Sequence, residues 1–141
     1  NLSLNDIELI TCDIGPGSFT GLRIGIATTK AFCDFSSIPC VGISSLTSLA
    51  YNVLENIKDN DVVCSIIDCK NNNCYFALYE LNSGNYNVLI EPCAKSVNDV
   101  LDLLNSQYYN KCISFRNQKN LERNCRYIYK NDDKMDKSNY S

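Results

Sequence analysis

The chain has 141 residues, 45% of them apolar, and a formal net charge of −3. That length and apolar content support one respectable core, and the acidic balance excludes bulk electrostatic attraction to RNA. No run approaches the length of a bilayer-spanning helix and no basic stretch leads into an apolar block, so the pattern predicts neither membrane insertion nor secretion.

Residues 8–12 read as a strand within the apolar run of Ile7, Leu9 and Ile10. The run Gly15-Pro16-Gly17-Ser18-Phe19-Thr20-Gly21-Leu22-Arg23-Ile24-Gly25 follows and opens a helical stretch over 18–35. Strand, glycine turn and helix in succession offer two roles. Backbone amides at the helix start can cradle an anion, or the glycines let the chain turn and a neighbour come close. The anion role fits poorly. No lysine stands in the turn as a P-loop requires, and the glycine spacing is one residue too long for a dinucleotide fingerprint. The next strand, 39–44, ends in Ser44 rather than an acid, and Pro16 has no N–H to offer a phosphate. Gly15, Pro16 and Gly17 therefore read as a turn and Ser18 as the helix cap.

At about 100° per residue, Arg23, Lys30 and Asp34 share one narrow stripe of that helix with Ala27. Leu22, Ile26, Thr29 and Cys33 lie on one side, and Ile24, Thr28, Phe32 and Phe35 on the other, with Gly21 and Gly25 between them. One sheet needs only one apolar face. A second face implies a second partner, or a central helix buried within one domain.

A second helix over 45–57 carries Leu46, Leu49, Ala50, Val53, Leu54 and Ile57 at helical spacing. Residues 62–68 and 74–81 read as a strand pair across a turn at 70–73, followed by a strand at 87–93. Ser96 caps a helix with Val97, Val100, Leu101, Leu103 and Leu104, which leads to a last strand at 112–115. Helices alternating with strands, then a run of strands, predict part of one α/β layer sandwich joined to the start of another.

From Arg116 onward aliphatic residues become scarce, and the charge balance reverses. Residues 1–115 hold 6 basic and 12 acidic side chains, and 116–141 hold 7 and 4. Such a tail reads as disordered rather than as a nucleic-acid arm.

Nine cysteines occur without any Cys-x-x-Cys, and the chain has no histidine. That spacing points to no metal site and no disulfide framework, but to reduced thiols in a cytoplasm. Without imidazole, Ser18 and Thr20 lack the base a nucleophile needs. Asp13 and Asp68 are the one candidate carboxylate pair, with turn or surface roles as the default.

The glycine-rich core, continued by Ala27-Thr28-Thr29-Lys30-Ala31 and by Pro39-Cys40-Val41-Gly42-Ile43-Ser44-Ser45-Leu46, resembles the signature of the bacterial TsaB family. A third block, from Ile66-Ile67-Asp68-Cys69-Lys70 through Asn73-Cys74-Tyr75 to Tyr79, is similar to the strand, acidic turn and strand that open the family's second subdomain. The resemblance covers about the first 80 residues well. It implies an actin-like, ribonuclease-H-like α/β fold: 1–60 as the second half of the amino-terminal subdomain, 61–115 as the start of the second, and 116–141 as a disordered or aberrant tail. The family opens with an Ile-Asp-Thr-Ser-type strand, two further strands and a helix that this sequence lacks. The chain thus reads as a fragment, and a reading-frame slip near Phe115 would account for Arg116-Asn117-Gln118 where the family continues with Gly-Asp-Gly.

The implied function is that of a noncatalytic subunit without a cofactor. It pairs with the TsaD-type catalytic subunit and, with the TsaE-type ATPase, supports threonylcarbamoyl transfer to the adenosine beside the tRNA anticodon, meeting tRNA only through the complex. Helix pattern and resemblance together assign Phe19, Gly21, Leu22, Gly25, Ile26 and Thr29 to the partner interface; homodimerisation through the same helix is compatible. The competing expectation is an ATP-using or peptidase-type enzyme of the actin-like superfamily, disfavoured because the histidine ligands of TsaD-type enzymes and an amino-terminal phosphate loop are absent.

Overall fold

A computed structural model of the chain describes residues 3–52, 57–108 and 112–117. After a short 3-10 turn at Leu4–Asp6, the first unit is a β-α-β crossover. β1 (Ile10–Asp13) leads through α1 (Phe19–Ser36) to β2 (Cys40–Ile43), and the two strands pair in parallel with Ile10 opposite Cys40 and Asp13 opposite Ile43. Then come α2 (Ser45–Tyr51), β3 (Val62–Lys70), β4 (Asn73–Asn82), β5 (Asn85–Ser96), α3 (Val97–Gln107) and β6 (Cys112–Asn117). The last four strands form one sheet in the order β5-β4-β3-β6, antiparallel except for the parallel β3–β6 pair.

The core sits on both faces of β3 and β4. Val62, Cys64, Ile66, Phe76 and Leu78 face α3 and meet Val97, Val100 and Leu104. Val63, Ala77 and Tyr79 face the other way, onto Leu46 and Ala50 of α2. This two-sided burial explains why β3 is mostly apolar along Val62–Ile67 rather than alternating, with Ser65 the one polar side chain in that stretch. Tyr86 closes the α2 side: its hydroxyl donates to the Ala50 carbonyl at 2.7 Å, and Tyr51 meets its ring edge-on at 5.0 Å. Burial, with Tyr51 adding a little, pushes the Tyr86 hydroxyl up to about 12.

The β3–β4 connection is tight. Lys70, Asn71 and Asn72 all adopt positive φ (68°, 51° and 59°); Asn tolerates that region better than other non-glycine residues. Asp68 anchors the turn by accepting from the Lys70 amide at 2.8 Å.

The elements lie where periodicity puts them, with shifts at their ends. β5 runs from Asn85 to Ser96, longer than 87–93, because it pairs with β4 along nearly its whole length. Among the described residues the second helix spans Ser45–Tyr51, and of its predicted continuation residues 53–56 lie outside them. β6 extends its backbone pairing to Asn117, two residues beyond the composition break, while 118–141, the expected tail, lie outside the described residues.

Candidate docking face

The glycine turn is built from the end of β1 upward. Gly15 has φ of 95°, and a side chain there would stand 2.9 Å from Leu22 Cδ1, so only glycine fits. The Gly15–Pro16 peptide is cis. Gly17 has open space around it. Ser18 is the cap the sequence indicates: its Oγ accepts from the Gly21 amide at 3.4 Å. The turn is not an anion cradle. The Gly15 amide donates to Asp13 Oδ1 at 2.7 Å, so a carboxylate already occupies the place a phosphate would take.

Asp13 also reaches across the sheet. Ser45 Oγ lies 2.6 and 2.7 Å from its two carboxylate oxygens, and the Ser45 amide donates to the Gly15 carbonyl at 3.0 Å. Asp13 and Asp68 therefore act as two separate turn anchors, each bonded to backbone amides close by in sequence.

No residue of α1 is buried, although the helix is 18 residues long. Its half-buried stripe is Leu22, Gly25, Thr29, Cys33 and Ser36, the side that packs on β1. Partial burial pushes the Cys33 thiol up from its ordinary value, and the neighbouring Cys40 thiol adds to it. Of the residues assigned to a partner interface, Leu22, Gly25 and Thr29 thus lie along the half-buried stripe. Phe19 (73% exposed), Gly21 and Ile26 face solvent. The Arg23 guanidinium covers one face of the Phe19 ring, 5.1 Å from its centre.

The larger open apolar surface comes from residues outside that assignment. Ile24 is 63% and Phe35 84% exposed, and Phe32 is exposed beside them. Leu4, Ala27, Thr28, Ala31, Phe32 and Phe35 line a shallow groove along the helix. The signal was present in the second apolar side of the helix, but periodicity does not say which side the sheet takes. Among the described residues no group of three His, Cys, Asp or Glu side chains could hold a metal, and no helix is long and apolar enough to cross a membrane.

Comparison with known proteins agrees with this architecture. The profile of the family described as TsaD, tRNA N6-adenosine threonylcarbamoyltransferase, matches residues 1–134. The chain is 34% identical over 76 residues to the tRNA threonylcarbamoyladenosine biosynthesis protein TsaB of Haemophilus influenzae, covering 54% of this chain and 32% of that protein. It is 33% identical over 78 residues to TsaB of Escherichia coli (55% and 33% covered) and 31% over 84 residues to TsaB of Bacillus subtilis (60% and 35%). The chain therefore spans about a third of the length of these curated relatives. Among solved structures, YeaZ from Pseudomonas aeruginosa superposes with a TM-score of 0.60 at 24% identity, over 67% of this chain and 44% of that one. A second solved chain, described as an uncharacterized protein with similarity to peptidase YEAZ from the same organism, gives the same figures. The fold is thus part of the actin-like, ribonuclease-H-like α/β arrangement, and the chain belongs to the TsaD family, on the side of its TsaB relatives.

Proposed function

We propose that the chain is a noncatalytic partner subunit that docks through the open side of α1 onto a TsaD-type catalytic subunit. In this reading it supports, with a TsaE-type ATPase, threonylcarbamoyl transfer to the tRNA adenosine beside the anticodon. The role of its TsaB relatives in tRNA threonylcarbamoyladenosine biosynthesis supports the process. The observation that carries the docking role is the pair of glycines in α1. A side chain at Gly25 would meet nothing within 4 Å, and one at Gly21 only Ser18 at 3.6 Å. Each glycine costs the helix about 1 kcal/mol relative to alanine, and nothing in the described packing needs that sacrifice. Close approach of a second backbone does. Gly21 and Gly25 then edge the contact, Ile24, Phe32 and Phe35 fill it, Leu22 and Thr29 support it from beneath, and Phe19 and Ile26 meet the partner only where it reaches round the opposite flank of the helix.

The subunit needs no cofactor of its own, works in the cytoplasm, and meets tRNA only through the complex. Residues 1–60 serve as the second half of the amino-terminal subdomain and 61–115 as the start of the next. A peptidase role finds no imidazole in the sequence.

The test is titration calorimetry of the full chain against a TsaD-type subunit, with Ile24→Asp and Phe35→Asp as variants. Both side chains are mostly exposed in the free chain, so the fold should tolerate the change, while a carboxylate trapped in the contact weakens binding at least about tenfold. No binding by the unaltered chain, or equal binding by both variants, would refute docking at this face. A concentration-dependent dimer of the chain alone, broken by the same variants, would place a second copy there instead.

A further inference from the structure

We propose that Asp13 is the positioning residue for the docking helix, a role that rests on the docking reading above only for its final effect on partner binding. Three chain segments meet at its carboxylate. Asp13 itself ends β1; Oδ1 holds the Gly15 amide at 2.7 Å; and both oxygens receive the Ser45 hydroxyl, at 2.6 and 2.7 Å, from the first turn of α2. The Ser45 amide returns a bond to the Gly15 carbonyl at 3.0 Å, and the Ile14 amide one to the Ile43 carbonyl at 3.0 Å. The entry of α1 is thus tied to the end of the neighbouring strand by side chain and backbone together.

This is the carboxyl end of two parallel strands, where open α/β sheets commonly bind ligands. Here Asp13 and Ser45 occupy each other and a backbone amide, so the acid acts as a staple. The staple matters because α1 has no buried residue: core packing alone does not fix the direction in which the helix leaves the turn. Gly15, with φ of 95° and no room for a side chain beside Leu22, is the pivot that Asp13 holds.

The experiment is residue-resolved amide hydrogen exchange on the full chain without partner, comparing Asp13→Ala, Asp13→Asn and Ser45→Ala. The informative amide is that of Ser45, because its bond goes to Gly15 and not to Asp13. Asp13→Ala should speed exchange at Ser45 and through the first turn of α1 about tenfold, and Ser45→Ala should do so in that first turn by a smaller factor. Asp13→Asn keeps one acceptor for Gly15 and a donor for the Ser45 oxygen, so it should stay within about twofold of the unaltered chain. Exchange unchanged in Asp13→Ala would overturn the proposal. So would equal acceleration in Asp13→Ala and Asp13→Asn spread over β3 and β4, because that pattern means general destabilisation. In a second arm, affinity for the TsaD-type subunit should fall about fivefold in Asp13→Ala and recover in Asp13→Asn, because a loosened helix must be reordered on binding. Unchanged affinity in Asp13→Ala would overturn the link to docking. If the unaltered chain does not bind that subunit, the docking reading fails, and the exchange arm still decides whether Asp13 positions the helix.

Discussion

Replacing Gly25 separates the needs of the fold from the needs of a partner. At about 100° per residue, Gly21, Phe32 and Gly25 fall within one sector of α1, with Gly25 at the margin of the half-buried stripe and the other two toward the open apolar side. A Cβ at Gly25 touches nothing within 4 Å, so Gly25→Ala brings only the gain in helix propensity, about 1 kcal/mol. The melting temperature of the isolated chain should rise by about 3 °C. Gly25→Leu should keep most of that gain in the free chain and lose it in the complex. There a side chain wedged into a backbone contact costs about 1 to 3 kcal/mol, a loss of affinity of roughly 5- to 150-fold. Thermal unfolding followed by circular dichroism, paired with calorimetry against the TsaD-type subunit, reads both quantities on the same preparations. A lowered melting temperature with unchanged affinity would place Gly25 in the chain's own packing and refute the reasoning.

Three further outcomes are expected. Leu104→Ala, at a side chain 1% exposed between α3 and the sheet, should destabilise by about 2 to 5 kcal/mol in urea unfolding, through lost burial and a residual cavity; a cost below 1 kcal/mol would mean that α3 is not part of the core. Ser65 is fully buried in β3 and its Oγ has no hydrogen-bond partner among the described residues, so Ser65→Ala should leave stability unchanged or raise it by about 1 kcal/mol, whereas a loss of 2 kcal/mol would reveal a partner for that hydroxyl. Because the Tyr86 hydroxyl titrates near 12 when folded and near 10 when unfolded, its contribution is complete below pH 10 and is lost as pH rises through 12. Tyr86→Phe should flatten that alkaline decline, and identical slopes for the two proteins would count against the burial of Tyr86.

Much of the architecture was legible in the residues because each element carried a local signal. Ser18 and Ser96 cap helices where the sequence places caps, and both side chains accept from the amide three residues on. The runs at 62–68 and 74–81 marked a strand pair, which β3 and β4 form in antiparallel register. What the sequence hid depends on contacts between distant segments. Asp13 and Ser45 lie 32 positions apart and meet only because β1 and β2 pair in parallel with Asp13 opposite Ile43. The orientation of α1 was hidden for another reason. Its two apolar sides are nearly equivalent by hydropathy, and the small residues Gly25, Thr29 and Ser36, not Ile24 or Phe35, lie on the side that packs on the sheet. That stripe mixes them with Leu22 and Cys33, so neither size nor hydropathy marks it in the sequence.

The short helix α2 has a mechanical consequence. Its first residue is bound to the glycine turn through Asp13, while Leu46 and Ala50, both fully buried, are seated on the β3–β4 sheet. Force applied to α1 therefore passes along seven residues of α2 into the buried β3–β4 core, with Thr47 and Tyr79 bonded at 3.0 Å as a rivet on the way. A subunit that grips α1 thereby takes hold of a lever whose far end is the four-stranded sheet, and loosening that lever would let one half move while the other stays still.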